Sequence, residues 1–323
     1  MKTLNLCAFF LRSVVVILMV FGLVRCGKDD DNDNGAPSCE EFTSENAECY
    51  CEQHPESGHC KPLELIISEV TEKEVGLTPH ASNGTLWTKG FAIGNVIYII
   101  DRESEGPKAF WKYDLDGDDE WIQLADFPGD DGYGLTGAAR GRGYASQNAS
   151  GKFWEYDPAS NEWIPIPDLP FTSAETHWVE YNDRFYVPHS NGIYEFDPTT
   201  KEWAKISDQT STGFGAVFLV GDDMYWYNIN SDFMSHFNFA DKSYDTVDLP
   251  EDFGSSVSFN CPFVIKDQAY VVVSNDFWSF NNDSKTWTFH ENGLQEGAVY
   301  GDDVFIIDGR AYLVDNGYLK IFE

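Results

Sequence analysis

The feature that most constrains this chain is a phrase of aromatic and turn residues that returns at a nearly constant spacing. In its clearest copy, residues 153–163, an aromatic run ends at Tyr156, Asp157 and Pro158 open a turn, and Trp163 starts the next run. Asp can accept a hydrogen bond from its own backbone and Pro fixes φ, so the pair favours a tight turn between strands. The equivalent positions are Tyr113, Tyr156, Phe196, Phe239, Phe280 and Ile321, with successive gaps of 43, 40, 43, 41 and 41 residues.

A second series, independent of the first, places a Tyr directly after a polar turn. Its members are Tyr98, Tyr144, Tyr186, Tyr225, Tyr270 and Tyr312, with gaps of 46, 42, 39, 45 and 42 residues. Each period holds about four short β-rich runs separated by turn residues, which is typical of one four-stranded β-propeller blade. The repeats therefore predict an all-β, six-bladed β-propeller over residues 61–323.

The spacing and the Tyr-Asp…Trp phrase resemble kelch repeats, and the resemblance covers most of the chain after residue 60. Kelch blades usually carry a diglycine after the second strand, and this chain has none there. The residues in its place are Ile100-Asp101, Ser146-Gln147, Pro188-His189, Tyr227-Asn228, Val273-Ser274 and Val314-Asp315. The chain thus resembles a divergent member of the kelch group, and the activities of that group transfer to it only weakly.

The repeat count also predicts how the ring closes. The sixth period stops at Glu323, after its third strand, whereas the apolar stretch from Glu64 to Val70 has no blade of its own. We expect this stretch to pair with Tyr318–Phe322 as the outer strand of the sixth blade, because unpaired strand edges are avoided in native sheets. The alternative is a free strand in the linker.

Residues 1–25 have the pattern of an export signal, with Lys2 and Arg12 before a short apolar run. Cys26 follows that run after one residue, Arg25, and resembles the lipidated cysteine of bacterial lipoproteins, although Arg25 departs from the small residue usual there. The acidic residues after Lys28 resemble the tag of Bacteroidota lipoproteins exposed on the cell outer membrane. The resemblance implies a surface-exposed, lipid-anchored protein, and a secreted or periplasmic protein is the alternative. Residues 26–38 are acidic and too polar to form a core, so a flexible tether is expected there.

Residues 39–60 are predicted to form a small disulfide-rich segment. Four cysteines, Cys39, Cys49, Cys51 and Cys60, fall within it, and close cysteines in an exported chain favour disulfides. Their number alone leaves three pairings open. The last three cysteines resemble the second half of an epidermal-growth-factor-like module, which implies the bridges Cys39–Cys49 and Cys51–Cys60.

The formal net charge of −33 argues against a nucleic-acid partner, because phosphate binding requires clustered Lys and Arg. One acidic turn places Asp114, Asp116 and Asp118 at alternate positions, a spacing that could suit calcium. A calcium-loop glycine is missing at Asp119, so a solvated acidic turn is the favoured interpretation. No cofactor is predicted.

Propeller ligands usually bind at the mouth of the central channel, where the innermost strands begin. Counting eleven residues back from each turn Tyr predicts the side chains of that mouth: Trp87, Tyr133, Glu175, Phe214, Phe259 and Gly301. Counting nine back gives Lys89, Leu135, His177, Ala216, Cys261 and Asp303. Aromatic rings with a carboxylate and an imidazole would suit a carbohydrate. In the competing interpretation these aromatic side chains fill the wedges between blades.

These features favour a binding module for a glycan or for a surface or extracellular partner protein, since no strong catalytic motif is present. The alternative is an enzyme, because the chain is also similar to kelch-type sialic acid mutarotases and epimerases. That resemblance implies a general acid and base at the sugar hydroxyl, for which Glu175 and His177 are the candidates. Arg102 would then hold a substrate carboxylate.

Overall fold

The computed structural model describes residues 70–75, 89–100, 108–129, 133–147, 150–171, 177–209, 216–227, 231–250, 253, 262–273, 276–290, 304–315 and 318–323. The predicted signal, tether and disulfide-rich segments therefore lie outside the described residues, as do Cys26, Cys39, Cys49, Cys51 and Cys60. No helix in the described part of the chain is both long and apolar enough to cross a bilayer.

The described strands form six sheets of four. The first blade consists of β2 Lys89–Ile93, β3 Val96–Ile100, β4 Phe110–Asp114 and β5 Trp121–Gln123. The second blade consists of β6 Tyr133–Ala139, β7 Arg142–Gln147, β8 Phe153–Asp157 and β9 Glu162–Ile166. The third blade consists of β10 Val179–Tyr181, β11 Arg184–His189, β12 Gly192–Asp197 and β13 Glu202–Ser207. The fourth consists of β14 Val217–Val220, β15 Asp223–Tyr227, β16 Phe233–Asn238 and β17 Tyr244–Asp248; the fifth of β18 Pro262–Ile265, β19 Gln268–Val273, β20 Asp276–Asn281 and β21 Thr286–His290; the sixth of β22 Val304–Ile307, β23 Arg310–Asp315, β24 Tyr318–Phe322 and β1 Val70–Glu74.

Each sheet is antiparallel, and the first strand of each blade contacts the first strand of neighbouring blades. Such contacts join β2 with β6 and β22, and β14 with β10 and β18. β18 also contacts β22, and the Trp178 indole N–H donates to the Thr136 carbonyl between the second and third blades at 2.7 Å. The predicted all-β six-bladed propeller is confirmed.

Ring closure by a strand from near the chain start is confirmed, but its predicted position was wrong. β1 pairs with β24 from Val70 beside Phe322 to Glu74 beside Tyr318, whereas residues 64–69 lie outside the described residues. The outermost strands are the most exposed in each blade, as the burial of β9 and β13 shows. An outer position therefore accepts the polar sequence of residues 70–74 and does not require the apolar run that was expected to fill it.

The repeated phrase is a β-hairpin whose two aromatic ends face each other across the strands. Tyr156 pairs with Trp163 at a ring-centroid distance of 5.0 Å, and Tyr113 pairs with Trp121 at 5.2 Å. The Asp157 carboxylate accepts the Ala159 backbone N–H at 2.9 Å, as predicted for the turn. Aromatic cross-strand pairs and a side-chain-capped turn together explain why this phrase recurs in the first, second, third and fifth blades.

Most of the core lies in the wedges between blades. Between the first two blades, Phe91, Tyr98 and Phe110 pack against Tyr156, all of them buried, with the half-buried Trp163 against the group. The turn tyrosines of the second series are all at most 6% exposed, so this series marks core positions on the second strands. The repeat thus supplies both the hairpin and the packing of one blade on the next.

A polar cluster joins the fourth and fifth blades on the face opposite the strand starts. His236 is held between two carboxylates, with Nε2 2.6 Å from Asp223 Oδ1 and Nδ1 2.6 Å from Asp245 Oδ1. The side-chain amides of Asn238 and Asn282 donate to the two oxygens of Asp223 at 2.7 and 2.8 Å. Since Asn282 belongs to the fifth blade, Asp223 ties that blade to the fourth through its side chain.

Candidate ligand site in the central channel

The innermost strands of the six blades surround a cavity of about 490 Å³. Residues from all six strands line it, and the volume lies within the usual range for small-molecule sites. The channel is therefore the candidate functional site.

Backbone pairing determines which of the two adjacent wedges each residue of an inner strand faces, and residues of both faces also line the cavity. The residues opposite the turn tyrosines face the following blade; they are Phe91, Gly137, Val179, Phe218, Phe263 and Phe305. The four phenylalanines of this row are at most 6% exposed. Because successive side chains of a strand alternate, the residues before and after each member of this row belong to the other face.

Those alternate residues pack towards the preceding blade, as Ala92, Leu219 and Val264 do, and they also line the cavity in two rings. The upper ring, nearer the strand starts, consists of Gly90, Thr136, Trp178, Val217, Pro262 and Val304. The lower ring consists of Ala92, Ala138, Glu180, Leu219, Val264 and Ile306. Five of the six lower-ring residues are apolar, and Ile306 is 44% exposed to the lumen. The side chains of the channel wall are thus mainly aliphatic and aromatic, with Lys89, His177, Thr136 and Glu180 among them.

Trp178 of the upper ring is fixed by its neighbours. Its ring stacks on Phe185 with centroids 4.1 Å apart, and its N–H donates to the Thr136 carbonyl. A Cβ on Gly137 would lie 2.5 Å from the indole nitrogen, so only glycine leaves room for this ring. These contacts hold the Trp178 ring in one orientation between the second and third blades, where it also borders the cavity.

Lys89 and His177 are close to each other at the strand-start end of the cavity, although they come from the first and third blades. Both are half-buried and line the cavity. The positive charge of Lys89, together with burial, holds the pKa of His177 well below its usual value. His177 is therefore a neutral imidazole at neutral pH, able to accept a proton or a hydrogen bond.

Glu180 provides the single carboxylate among the described residues that line the cavity. Its side chain is exposed to water, yet protein surrounds it, and this desolvation together with the charge of Asp183 raises the pKa of Glu180. The solvent-exposed side chain of Glu180 lies in a channel in which the other residues of the lower ring are apolar. Counting back from the turn tyrosines did not select Glu180 or Trp178.

Most of the side chains predicted for the site fall outside the described residues. This applies to Trp87, Arg102, Glu175, Phe214 and Phe259. Tyr133 begins β6 and pairs with Gln147, but its side chain is not among those described. Among the residues predicted to bind a ligand or to act in catalysis, His177 is the one whose side chain is described, and it lines the cavity.

Four of the residues that lie nine positions before a turn tyrosine have described side chains, and these four fall into two groups. Lys89 and His177 line the cavity and are half-buried, whereas Leu135 and Ala216 are buried at 1% and 6% exposure. In a regular strand, positions seven, nine and eleven residues before the turn tyrosine share one face, which is the face towards the following blade. The described phenylalanines of the inner strands therefore pack in the wedges between blades, as the competing interpretation of the sequence expected.

The acidic turn of the first blade is occupied by protein contacts. Asp114 Oδ1 accepts the Asp116 backbone N–H at 3.0 Å, and Asp116 Oδ2 accepts the Asn95 side-chain amide at 2.7 Å. Asp119 accepts a hydrogen bond from Lys73 of β1 at 2.6 Å. Nowhere in the described ranges do three acidic, His or Cys residues gather in a way that could hold a metal ion, Asp114, Asp116 and Asp118 included.

The fold and its channel define the protein as a six-bladed β-propeller of four-stranded antiparallel blades. Among the solved structures that match it is that of YjhT, at a TM-score of 0.59 and 14% sequence identity. The match covers 77% of this chain and 95% of that chain, and at this identity it supports the fold alone. No family model and no curated protein matches the sequence.

Proposed function

We propose that this protein is a binding module, held at the cell surface by a lipid on Cys26, that recognises a glycan or a partner protein through its central channel. The observation that carries the proposal is the channel of about 490 Å³, in which the polar groups of Lys89, His177 and Glu180 stand among aromatic and aliphatic side chains, including the fixed Trp178. Aromatic and aliphatic surface with a few convergent polar groups is typical of small-ligand sites. A rigid ring that presents such a site needs no chemistry to function in binding.

Binding is tested on a glycan array and against extracellular protein extracts with the wild type and with His177→Ala. We expect loss of at least tenfold in affinity for the ligand, because the substitution removes a hydrogen-bonding group from the channel wall. Glu162→Gln on the exposed outer strand β9 is the matched control and should bind like the wild type. Equal binding by all three proteins would place the ligand outside the channel.

The lipid anchor has its own test. Radiolabelled palmitate should enter the wild-type protein in a lipoprotein-processing host and should not enter Cys26→Ala. If neither protein is labelled, the anchor is absent and the protein is secreted or periplasmic.

The second candidate function is sugar mutarotation, which one observation favours. His177 is held neutral beside Lys89 in the cavity wall, the state that a general base requires. In this proposal Glu175 supplies the partner acid, and Arg102 and Lys89 hold an anionic group of a sialic-acid-like sugar. Time-resolved NMR of anomeric exchange decides it, since a rate equal to that of buffer, or an unchanged rate in His177→Ala, removes the enzyme.

A further inference from the structure

Glu180 is the one charged residue in the lower ring of the channel. The other five positions of that ring are Ala92, Ala138, Leu219, Val264 and Ile306, which offer a carboxylate no hydrogen-bond donor from their side chains. A carboxylate among aliphatic groups costs free energy unless it is paired or hydrated. Nothing in the packing of the ring explains why an acid stands at this position of the third blade.

Strand pairing and the cavity lining together locate this carboxylate. Val179 is buried in the wedge between the third and fourth blades, so Glu180, which pairs with Phe185, is on the face of β10 towards the second blade, and it also lines the cavity. His177 is three residues earlier, which at about 3.3 Å per residue puts it about 10 Å away along the strand. Glu180 therefore lies deeper in the channel than the His177 and Lys89 pair.

Glu180 has no hydrogen-bond donor or cation paired with it among the described residues. The charge that acts on Glu180 is that of Asp183 in the turn after β10, and that carboxylate is paired with Arg140 at 3.3 Å. Glu180 thus lines the cavity and is exposed to solvent, and the other five residues of its ring are aliphatic. This arrangement leaves a cationic group of a ligand as the complementary partner.

We propose that the channel binds an amino sugar that carries a free ammonium group, and that the Glu180 carboxylate accepts the hydrogen bonds of that ammonium. This inference rests on the proposed glycan-binding function and names the class of glycan. The aliphatic side chains of Leu219, Val264 and Ile306 would cover the C–H face of the sugar ring, and the cavity has room for a monosaccharide. A charge-assisted hydrogen bond to a carboxylate is stronger than a neutral one, so it would give selectivity for the amine.

The test compares three sugars that share a ring and differ at one group: glucosamine, N-acetylglucosamine and glucose. Titrations of the full chain at neutral pH, followed by calorimetry and by NMR of the sugar signals, give the three affinities. For the wild type we expect glucosamine to bind at least tenfold more tightly than the two neutral sugars. For Glu180→Gln, which keeps the size of the side chain, we expect that tenfold preference to disappear.

Glu162→Gln is again the matched control, because it removes a carboxylate from an exposed outer strand and should keep the preference for glucosamine. The three-sugar comparison in the wild type needs no variant, so it remains informative if a variant folds poorly. Equal affinity for the three sugars, or a preference that survives in Glu180→Gln, overturns the role of Glu180 while glycan binding stands. If none of the three sugars binds to the wild type, the proposed amino-sugar ligand is wrong. That result would also count against glycan binding itself.

Discussion

Gly143 on β7 is the residue where the packing of two blades leaves least room. A Cβ at this position would lie 2.1 Å from the ring of Phe91, which comes from the inner strand of the preceding blade. Gly143→Ala should therefore lower the free energy of unfolding by about 1–3 kcal/mol, the usual cost of adding atoms to a packed core. Urea denaturation of the two proteins measures the difference.

The clash can be relieved at the other side of the contact. In the double variant Gly143→Ala/Phe91→Leu the ring is gone, so the added methyl should cost less than it does in the wild-type background. If the two substitutions are simply additive, the ring of Phe91 is not what excludes a side chain at position 143.

The ionisation of Asp223 makes the free energy of unfolding depend on pH. Burial alone raises the pKa of an acid, but here the hydrogen bonds from Asn282, Asn238 and His236 and the charge of Lys285 outweigh burial and lower the pKa of Asp223 from 3.8 to about 2. A carboxyl whose pKa is depressed in the folded state contributes stability above its unfolded pKa and loses it as pH falls towards the folded value. Asp223 should thus contribute about 2 kcal/mol at pH 7 that disappears as the pH falls from about 4 to 2.

Asp223→Asn should lower the free energy of unfolding at pH 7 by roughly that amount and flatten its pH dependence between pH 4 and 2. Unfolding in urea at a series of pH values measures both effects. Asp267→Asn is the matched control, because Asp267 is an exposed turn residue at φ 62°, a conformation that Asn tolerates. An unchanged pH profile in Asp223→Asn would show that the cluster around His236 does not hold the ionised carboxylate.

At the scale of single residues, the sequence predicted less of the candidate site than of the core. Counting back by nine and eleven from Tyr186 selects His177 and Glu175, whereas Trp178 and Glu180 have the opposite parity and also line the cavity. One residue of offset exchanges the two faces of a strand, and residues of both faces of an inner strand reach the cavity, so a count of one parity misses half of them. Periodicity alone could therefore not find Glu180.

At the scale of the element, the hairpin phrase was predictable because its causes are local. The capped turn at Asp157 and the pair Tyr156–Trp163 lie within eight residues of each other. The outer strand of the sixth blade was not predictable in its bounds, because β1 meets β24 across almost the whole chain. Contacts between blades are equally remote: the Lys201 ammonium donates to the Tyr144 hydroxyl of the preceding blade at 3.3 Å.

The strand β1 can be tested as an element by truncation. A chain that begins at Val75 lacks the five residues that pair with β24, and at about 1 kcal/mol net for each backbone hydrogen bond it should lose on the order of 3–5 kcal/mol. It also loses the ion pair of Lys73 with Asp119 and exposes the edge of β24. Thermal unfolding and size-exclusion chromatography should show a lower Tm and self-association through the free edge.

A chain that begins at Lys61 is the control for this truncation, because it retains β1 and lacks the same distant N-terminal residues. It should unfold like the full chain, apart from any contribution of residues 1–60. If the chain that begins at Val75 is as stable and as monodisperse as this control, β1 does not close the ring in solution.

At the scale of the whole molecule, the number of blades follows from arithmetic on the repeat, but the directions of the strands follow only from the pairing. Val70 lies beside Phe322 at the end of β24, and Glu74 lies beside Tyr318 at its start. β1 therefore enters the ring at the face of the turns between first and second strands and ends at the face where the inner strands begin. The residues before Val70 join the propeller on the side opposite the channel end that carries Lys89 and His177.

This direction predicts which face of the propeller lies nearer a membrane that holds the chain by its N-terminal side. In a chain that begins at Lys61 and carries an N-terminal histidine tag on nickel-chelating vesicles, nine residues separate the tag from β1, a reach of about 30 Å. A fluorophore introduced at Asp308, in the turn after β22, should transfer energy to a dye in the bilayer more efficiently than one at Asp208, which follows β13 on the opposite face. Both positions are exposed aspartates, so the pair is matched in chemistry. The blade height of about 17 Å for five residues makes the difference in energy transfer measurable. Equal transfer from the two positions would contradict the prediction that the channel end with Lys89 and His177 faces away from the membrane.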